Sequence, residues 1–193
     1  MIEQLTPSQY RQMRWKNGAG YTLELARSEG ESLAEFDWRI SMADVSTSGS
    51  FSQFNGMQRI LTVLEGAGIE LNIEGDSQTL TTLQSAQFSG SAAVNSHLQD
   101  GPIRDFNLIY DPHKYAAHYQ WFDQHQPTEI LSSADVIFIF QRSPSLLDIR
   151  VDGQKFQLEH QHSLNIQIPK KLKHLRLSAS SSAQYCLIEL TKI

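Results

Sequence analysis

The chain has 193 residues, 40% of them hydrophobic and 19% charged, with a formal net charge of −5. That is ordinary globular composition, with enough chain for one large domain or two small ones. The acidic balance excludes the overall basic field that draws a protein onto nucleic acid or an acidic membrane, and a single cysteine, Cys186, excludes an internal disulfide and favours a reducing compartment.

Met1 to Pro7 has no basic n-region and no apolar h-region, so it does not read as a signal peptide. No apolar stretch approaches the roughly 20 residues of a membrane span, and a cytoplasmic protein is expected. Thr6-Pro7-Ser8-Gln9-Tyr10 sets a Thr N-cap before Pro at the first helical position and predicts one helical turn. Thr22 to Ala26 and Phe36 to Val45 read as strands, and Arg59 to Leu64 as a strand buried on both faces. Ile69, Leu71 and Ile73 then alternate with Glu70, Asn72 and Glu74, the pattern of a half-buried strand. Asp105 to Tyr110 is a further strand. Pro112 to Ala117 predicts a second helical turn, at a seam over residues 112 to 127 where Pro112, Pro127 and a His/Gln-rich stretch interrupt the strand pattern.

Beyond the seam, Val136 to Phe140 is a continuous apolar strand. Leu164, Ile166 and Ile168 alternate with Asn165 and Gln167, and Leu175 and Leu177 with Arg176 and Ser178. Lys170, Lys171, Lys173 and His174 follow Pro169 and read as a solvated turn. About a dozen or more short strands separated by Gly-rich turns predict an all-β fold of the sandwich or barrel kind. The expected organisation is two small barrel-like units folded as one compact body, residues 1–112 and 113–193. The halves read as degenerate copies, with the second expected to be structural.

Catalytic signatures are scarce. His160-Gln161-His162 has a metal-ligand spacing, but it sits in a turn between two strands with no third ligand nearby in sequence, so metal binding is rejected there. No G-x-S-x-G nucleophile motif and no phosphate loop occurs.

The segment Gly49 to Gly68, GSFSQFNGMQRILTVLEGAG, resembles the first motif of a cupin, in which His-x-His is followed by a Glu and, seven residues after it, by a Gly. Gly66 stands where that Gly ends the strand. Counting back seven lands on Arg59, and no histidine occupies Ser52, Gln53, Phe54 or Asn55. A cupin metal site needs neutral imidazoles and a carboxylate converging on one point. An inward Arg would repel a divalent ion and attract an anion, and its planar fork fits a carboxylate. Arg59 is therefore read either as a ligand anchor or as one half of a structural ion pair inside the barrel.

Four blocks together resemble the HutD/Ves family of two-cupin proteins: Trp15 to Glu24 (WKNGAGYTLE), Phe36 to Val45 (FDWRISMADV), Gly49 to Gly66, and Asp105 to Leu108 (DFNL). Ala19 departs from a position where Gly is common. The resemblance implies two tandem cupin-like jelly-roll barrels. For HutD members it also implies binding of a small acidic metabolite that moderates histidine utilisation, and for Ves members a link to stress responses.

Strand parity narrows the site. Arg59, Leu61 and Val63 share a face, as do Arg39, Ser41 and Ala43, Thr22 and Glu24, and Asp105 and Asn107. A ligand pocket is expected to contain Glu24, Arg39, Arg59 and Asn107, rimmed by Trp15, Lys16 and Asn17, with Phe51 and Phe54 in the wall. Glu24 and Arg39 are equally read as a buried ion pair that fixes the sheet, and Trp15 as a core residue. Three functions fit: a metal-free, cofactor-free binder of a small carboxylate such as urocanate or formylglutamate with a regulatory role; a metal-independent isomerase or lyase using Glu24 or Asp105 as base; or an interaction module whose cavity is a fossil. The expected partner is a small anionic metabolite, without nucleic acid or membrane, and a homodimer is compatible with the pattern.

Overall fold

A computed structural model of the chain describes residues 1–15, 20–30, 35–124 and 126–193. The described residues form strands, turns and one short 3-10 turn, and divide into two compact units, Tyr10–Pro112 and Met1–Gln9 with His113–Ile193. The division after Pro112 leaves the first nine residues with the later unit, where the sequence reading had placed them in a unit of residues 1–112. The first strand, β1 (Ile2–Leu5), pairs antiparallel with Ser163–Gln167, and the Met1 ammonium donates to the Gln167 carbonyl at 2.8 Å. Four residues of local pattern mark a strand but carry no mark of the sheet edge it will join. The turn predicted after Thr6 is the 3-10 turn Pro7–Gln9, closed reciprocally: Gln9 N–H donates to the Thr6 carbonyl, and Thr6 N–H to Gln9 Oε1, both at 2.9 Å. The second predicted helical turn does not form. Residues 112–114 make a plain turn and Tyr115 already opens a strand, whose pairing with the C-terminal strand overrides the local signal.

The Tyr10–Pro112 unit contains β2 (Arg11–Arg14), β3 (Tyr21–Arg27), β4 (Trp38–Val45), β5 (Gly49–Ser50), β6 (Gln58–Glu65), β7 (Ile69–Ile73), β8 (Asp76–Leu80), β9 (Ser85–Ser89), β10 (Val94–Leu98) and β11 (Ile103–Tyr110). They form a six-stranded sheet, β2-β3-β4-β11-β6-β9, and a four-stranded sheet, β5-β10-β7-β8. Leu61, Val63, Ile69, Leu71, Val94 and Ile103, drawn from both sheets, share one core. Among the described residues neither sheet closes on itself, so of the sandwich or barrel expected the unit is an all-β, cupin-like pair of sheets. Gly66 ends β6 at φ +100°, and a Cβ there would meet the Pro102 carbonyl oxygen at 2.6 Å. Glycine at that corner lets the chain reverse directly after β6.

The other unit adds β12 (Tyr115–Gln124), β13 (Thr128–Ser132), β14 (Val136–Gln141), β15 (Leu147–Val151), β16 (Gln154–Leu158), β17 (Ser163–Gln167), β18 (Lys173–Ala179) and β19 (Ala183–Lys192). Its sheets run β1-β17-β14-β19-β12 and β13-β18-β15-β16. Strand for strand, β12-β19-β14-β17 repeats β4-β11-β6-β9, and β13-β18-β15-β16 repeats β5-β10-β7-β8. The halves are two copies of one plan, with β1 added at the β17 edge of one and β2 and β3 added at the β4 edge of the other. The core of this unit is apolar, with Ile137, Ile139, Leu164, Ile166, Leu175 and Leu187 at its centre. Lys173 corrects the reading of a solvated basic turn. It is fully buried, and its Nζ donates to the carbonyls of Ala134, Ile168 and Lys171, each at 2.7 Å.

Candidate ligand-binding site

The site is built on three neighbouring strands, β4, β11 and β6. Their register sets inward side chains in rows: Arg39, Ile109 and Arg59; then Ser41, Asn107 and Leu61; then Ala43, Asp105 and Val63. From β3, Glu24 extends the second row beside Ser41, and Thr22 the third beside Ala43. The first and third rows carry opposite charge, and all of these residues but Glu24, Leu61 and Val63 line a cavity of about 610 Å³. Phe51 and Phe54, from the loop after β5, and Trp15, after β2, contribute to its walls, and the exposed Arg14 stands at its edge.

Arg59 is 7% exposed. Its Nε and Nη2 both donate to Asn107 Oδ1, at 2.9 and 2.7 Å, and its guanidinium lies 4.6 Å from the centroid of Phe51 and 5.7 Å from that of Phe88. Its hydrogen bonds thus go to an amide and not to a carboxylate. Burial pushes the guanidinium down to about 10, with Asp105 opposing the shift and Arg39 adding to it, so Arg59 keeps its charge at neutral pH. Asn107 passes the interaction on: its Nδ2 donates to Asp105 Oδ1 at 2.7 Å. Asp105 is 1% exposed, and its Oδ2 has no hydrogen-bond partner. Burial pushes the Asp105 carboxyl up to about 6, against the pull of Arg59, the Asn107 amide and the Ala43 backbone.

Arg39 is half-buried, with its guanidinium 4.8 Å from the centroid of Phe36 and 5.1 Å from that of Phe54. Burial lowers its pKa, the charge of Glu24 raises it, and Arg27 lowers it further. Neither Arg39 Nε nor Glu24 Oε2 has a hydrogen-bond partner. The two residues therefore interact through space, and not at the close range of the buried ion pair expected. Glu24 is buried and does not line the cavity. Trp15 packs on the core and lines the cavity, and its Nε1–H donates to Thr22 Oγ1 at 2.9 Å. Lys16 and Asn17 lie outside the described residues.

Sequence reasoning passed over Arg14, Ile109 and Phe88. Ile109 has the parity of Asn107 and could have been found by it. The other two are placed by pairings that local pattern does not carry. Among the described residues no group of three or more His, Cys, Asp and Glu side chains could hold a metal ion. His160 lies in the turn and His162 just after it, and the turn leads from β16 in one sheet to β17 in another.

The sequence profile of the HutD family matches residues 7–187. An uncharacterised 21.2 kDa protein in the hutC 3′ region of Pseudomonas putida is 40% identical over 191 residues, 98% of this chain and 97% of that protein. A conserved protein of unknown function from Pseudomonas aeruginosa PAO1 superposes with a TM-score of 0.94 at 39% identity, covering 99% of each chain. HutD from Pseudomonas fluorescens SBW25, in a formate condition, superposes with a TM-score of 0.87 at 38% identity, covering 100% of each chain.

Proposed function

We propose, for a chain that belongs to the HutD family, that the cavity of its Tyr10–Pro112 unit binds a small carboxylate without a metal ion and that binding serves a regulatory role in histidine utilisation. The observation that carries the reading is Arg59: a buried cation lining the cavity, hydrogen-bonded to an amide, with a second arginine across Ile109. A buried charge held only by a neutral group is costly, and an entering carboxylate offsets that cost through a charge-assisted, bidentate contact. Phe51, Phe54 and Trp15 give such an acid an apolar wall. The regulatory part rests on the family resemblance and on relatives named for hut genes.

Calorimetric titration of the wild type, Arg59→Ala and Arg59→Lys with urocanate, formylglutamate and glutamate tests the reading. A charge-assisted contact contributes on the order of 1.5–3 kcal/mol, so Arg59→Ala weakens the bound acid about ten- to a hundredfold. Arg59→Lys recovers part of that, because a point charge lacks the fork. Equal binding by wild type and a folded Arg59→Ala sinks the assignment.

A second reading has one observation in its favour. The carboxyl of Asp105, in the cavity and raised to about 6, is suited to general-base work on an acid. Incubating the tightest-binding acid with the protein and following its consumption decides it. Turnover lost in Asp105→Asn supports an enzyme, and recovery of the acid unchanged refutes one.

A further inference from the structure

The acid-binding reading uses the arginines and gives Asp105 no role. Asp105 Oδ1 accepts from Asn107, while Oδ2 is bare, in a side chain that lines the cavity and is 1% exposed. A buried acceptor is costly to leave unmade, and Asn107 cannot turn round to serve it. Its Oδ1 already takes two bonds from Arg59, so its orientation is fixed with the amide nitrogen towards Asp105 Oδ1. The network is therefore polarised. Donors stand in the Arg39–Ile109–Arg59 row, and an open acceptor stands in the Asp105 row. Asp105 and Asn107 are two residues apart on one face, roughly 7 Å along the strand, and Arg59 reaches forward as far as Asn107.

We infer that Asp105 is a specificity-determining residue: its Oδ2 accepts a hydrogen bond from an N–H or O–H group carried by the ligand about one strand repeat, roughly 6–7 Å, from the carboxylate held by the arginines. The inference rests on the acid-binding reading and narrows its ligand class. It admits acids bearing an imidazole, an amide or an ammonium at that distance. It disfavours acids of the same size without a donor, which would bury a bare carboxylate oxygen against an apolar or accepting group. A carboxyl that titrates at about 6 is ionised at neutral pH and so able to accept.

The test is a matched pair of probes on the full chain, titrated calorimetrically at neutral pH: trans-urocanate, whose ring carries an N–H, and trans-3-(2-furyl)acrylate, of similar shape with no donor. The wild type binds urocanate about ten- to a hundredfold more tightly, the effect of one hydrogen bond to a charged group. In Asp105→Asn the amide oxygen is held by Asn107 Nδ2, so an amide N–H faces the cavity where the bare oxygen stood, and the preference falls to about onefold or reverses. Equal binding of the two probes by the wild type, binding of neither, or a preference that survives in a folded Asp105→Asn overturns the inference. Should that variant not fold, the wild-type ratio decides alone. Equal binding of both probes leaves the acid-binding reading standing while this inference falls. If glutamate and formylglutamate also fail to bind, both fall together.

Discussion

Replacing Asp105 with Asn should change how stability depends on pH, in a direction opposite to that of an ordinary surface carboxylate. Burial pushes the Asp105 carboxyl from 3.8 to about 6, with Arg59, the Asn107 amide and the Ala43 backbone pulling down and Asp44 pushing up. Below pH 3.8 both the native and the unfolded chain hold the proton. Between 3.8 and about 6 the unfolded chain has ionised while the native chain has not, so the native state binds more protons and stability falls as pH rises. Each step of one pH unit across that window is worth about 1.4 kcal/mol. Roughly 3 kcal/mol is therefore lost by the time the pH passes the native pKa, and it stays lost above. The Asp105→Asn chain has nothing to titrate there. Urea unfolding of both proteins at intervals from about pH 4 to about pH 8 isolates the term, because the other carboxylates cancel in the difference. The variant should gain on the wild type by about 3 kcal/mol over that range. Asp44 supplies a control of the opposite sign. Its carboxylate accepts Arg104 Nε at 2.6 Å and Nη2 at 3.0 Å, and these bonds lower its pKa. Asp44→Asn should accordingly lose ground to the wild type as pH rises through the window below 3.8, so its series is carried down to about pH 2. A flat difference for Asp105→Asn, or one running in the direction of Asp44→Asn, refutes the account of the buried carboxyl.

Lys173→Met keeps an unbranched side chain one atom shorter and removes the donor to three carbonyl oxygens. Leaving them bare should cost on the order of 3 kcal/mol in unfolding free energy, and a variant as stable as the wild type would show that the three bonds contribute nothing net. The protein as purified should carry no stoichiometric zinc, iron, nickel or manganese, since Arg59 occupies the position of the expected carboxylate ligand and repels a divalent ion. Elemental analysis finding close to one such metal per chain contradicts this, and His160→Ala with His162→Ala should leave the metal content unchanged.

The faces of the strands were legible in the sequence, and the partners across them were not. Alternation alone sets Arg59 with Leu61 and Val63, and Asp105 with Asn107, and those residues do share a surface. What the alternation lacks is register. Nothing in residues 58–65 says that Arg59 stands opposite Ile109, within reach of the Asn107 amide and not of a carboxylate. That offset follows from corners such as Gly66 and from the closure of Asp111 N–H on the Asp37 carbonyl at 2.8 Å. The ladder between β3 and β4 likewise shifts between Glu24 and Ala26, a bulge that the pattern of Thr22 to Ala26 does not announce. Lys173 was misread although its signal was present. It has the parity of Leu175 and Leu177, both buried, so period two points it inward, and three carbonyls outweighed the usual preference of lysine for water.

The repeated strand plan locates the candidate chemistry more narrowly than the fold does. In β6 the inward positions are Arg59, Leu61 and Val63, and in the corresponding strand β14 the core positions are Ile137 and Ile139. In β11 they are Asp105, Asn107 and Ile109, and in the corresponding β19 Ala183, Tyr185 and Leu187. The same sheet order therefore encloses a polar network with a cavity in one unit and a filled apolar core in the other. The order of the four strands that both copies share cannot by itself be what creates the pocket. β2 and β3, which have no counterpart in the other unit, bring Arg14, Trp15 and Thr22 to its lining. The rest of the difference lies in a few inward side chains on two strands: a cation that burial does not discharge, an amide that fixes its direction, and a carboxylate with one oxygen left open. Those three also make the unit harder to stabilise than its apolar counterpart, because each is a polar group taken out of water. Side chains that work against stability in one copy, where the other copy has apolar ones, are where a binding function is to be sought.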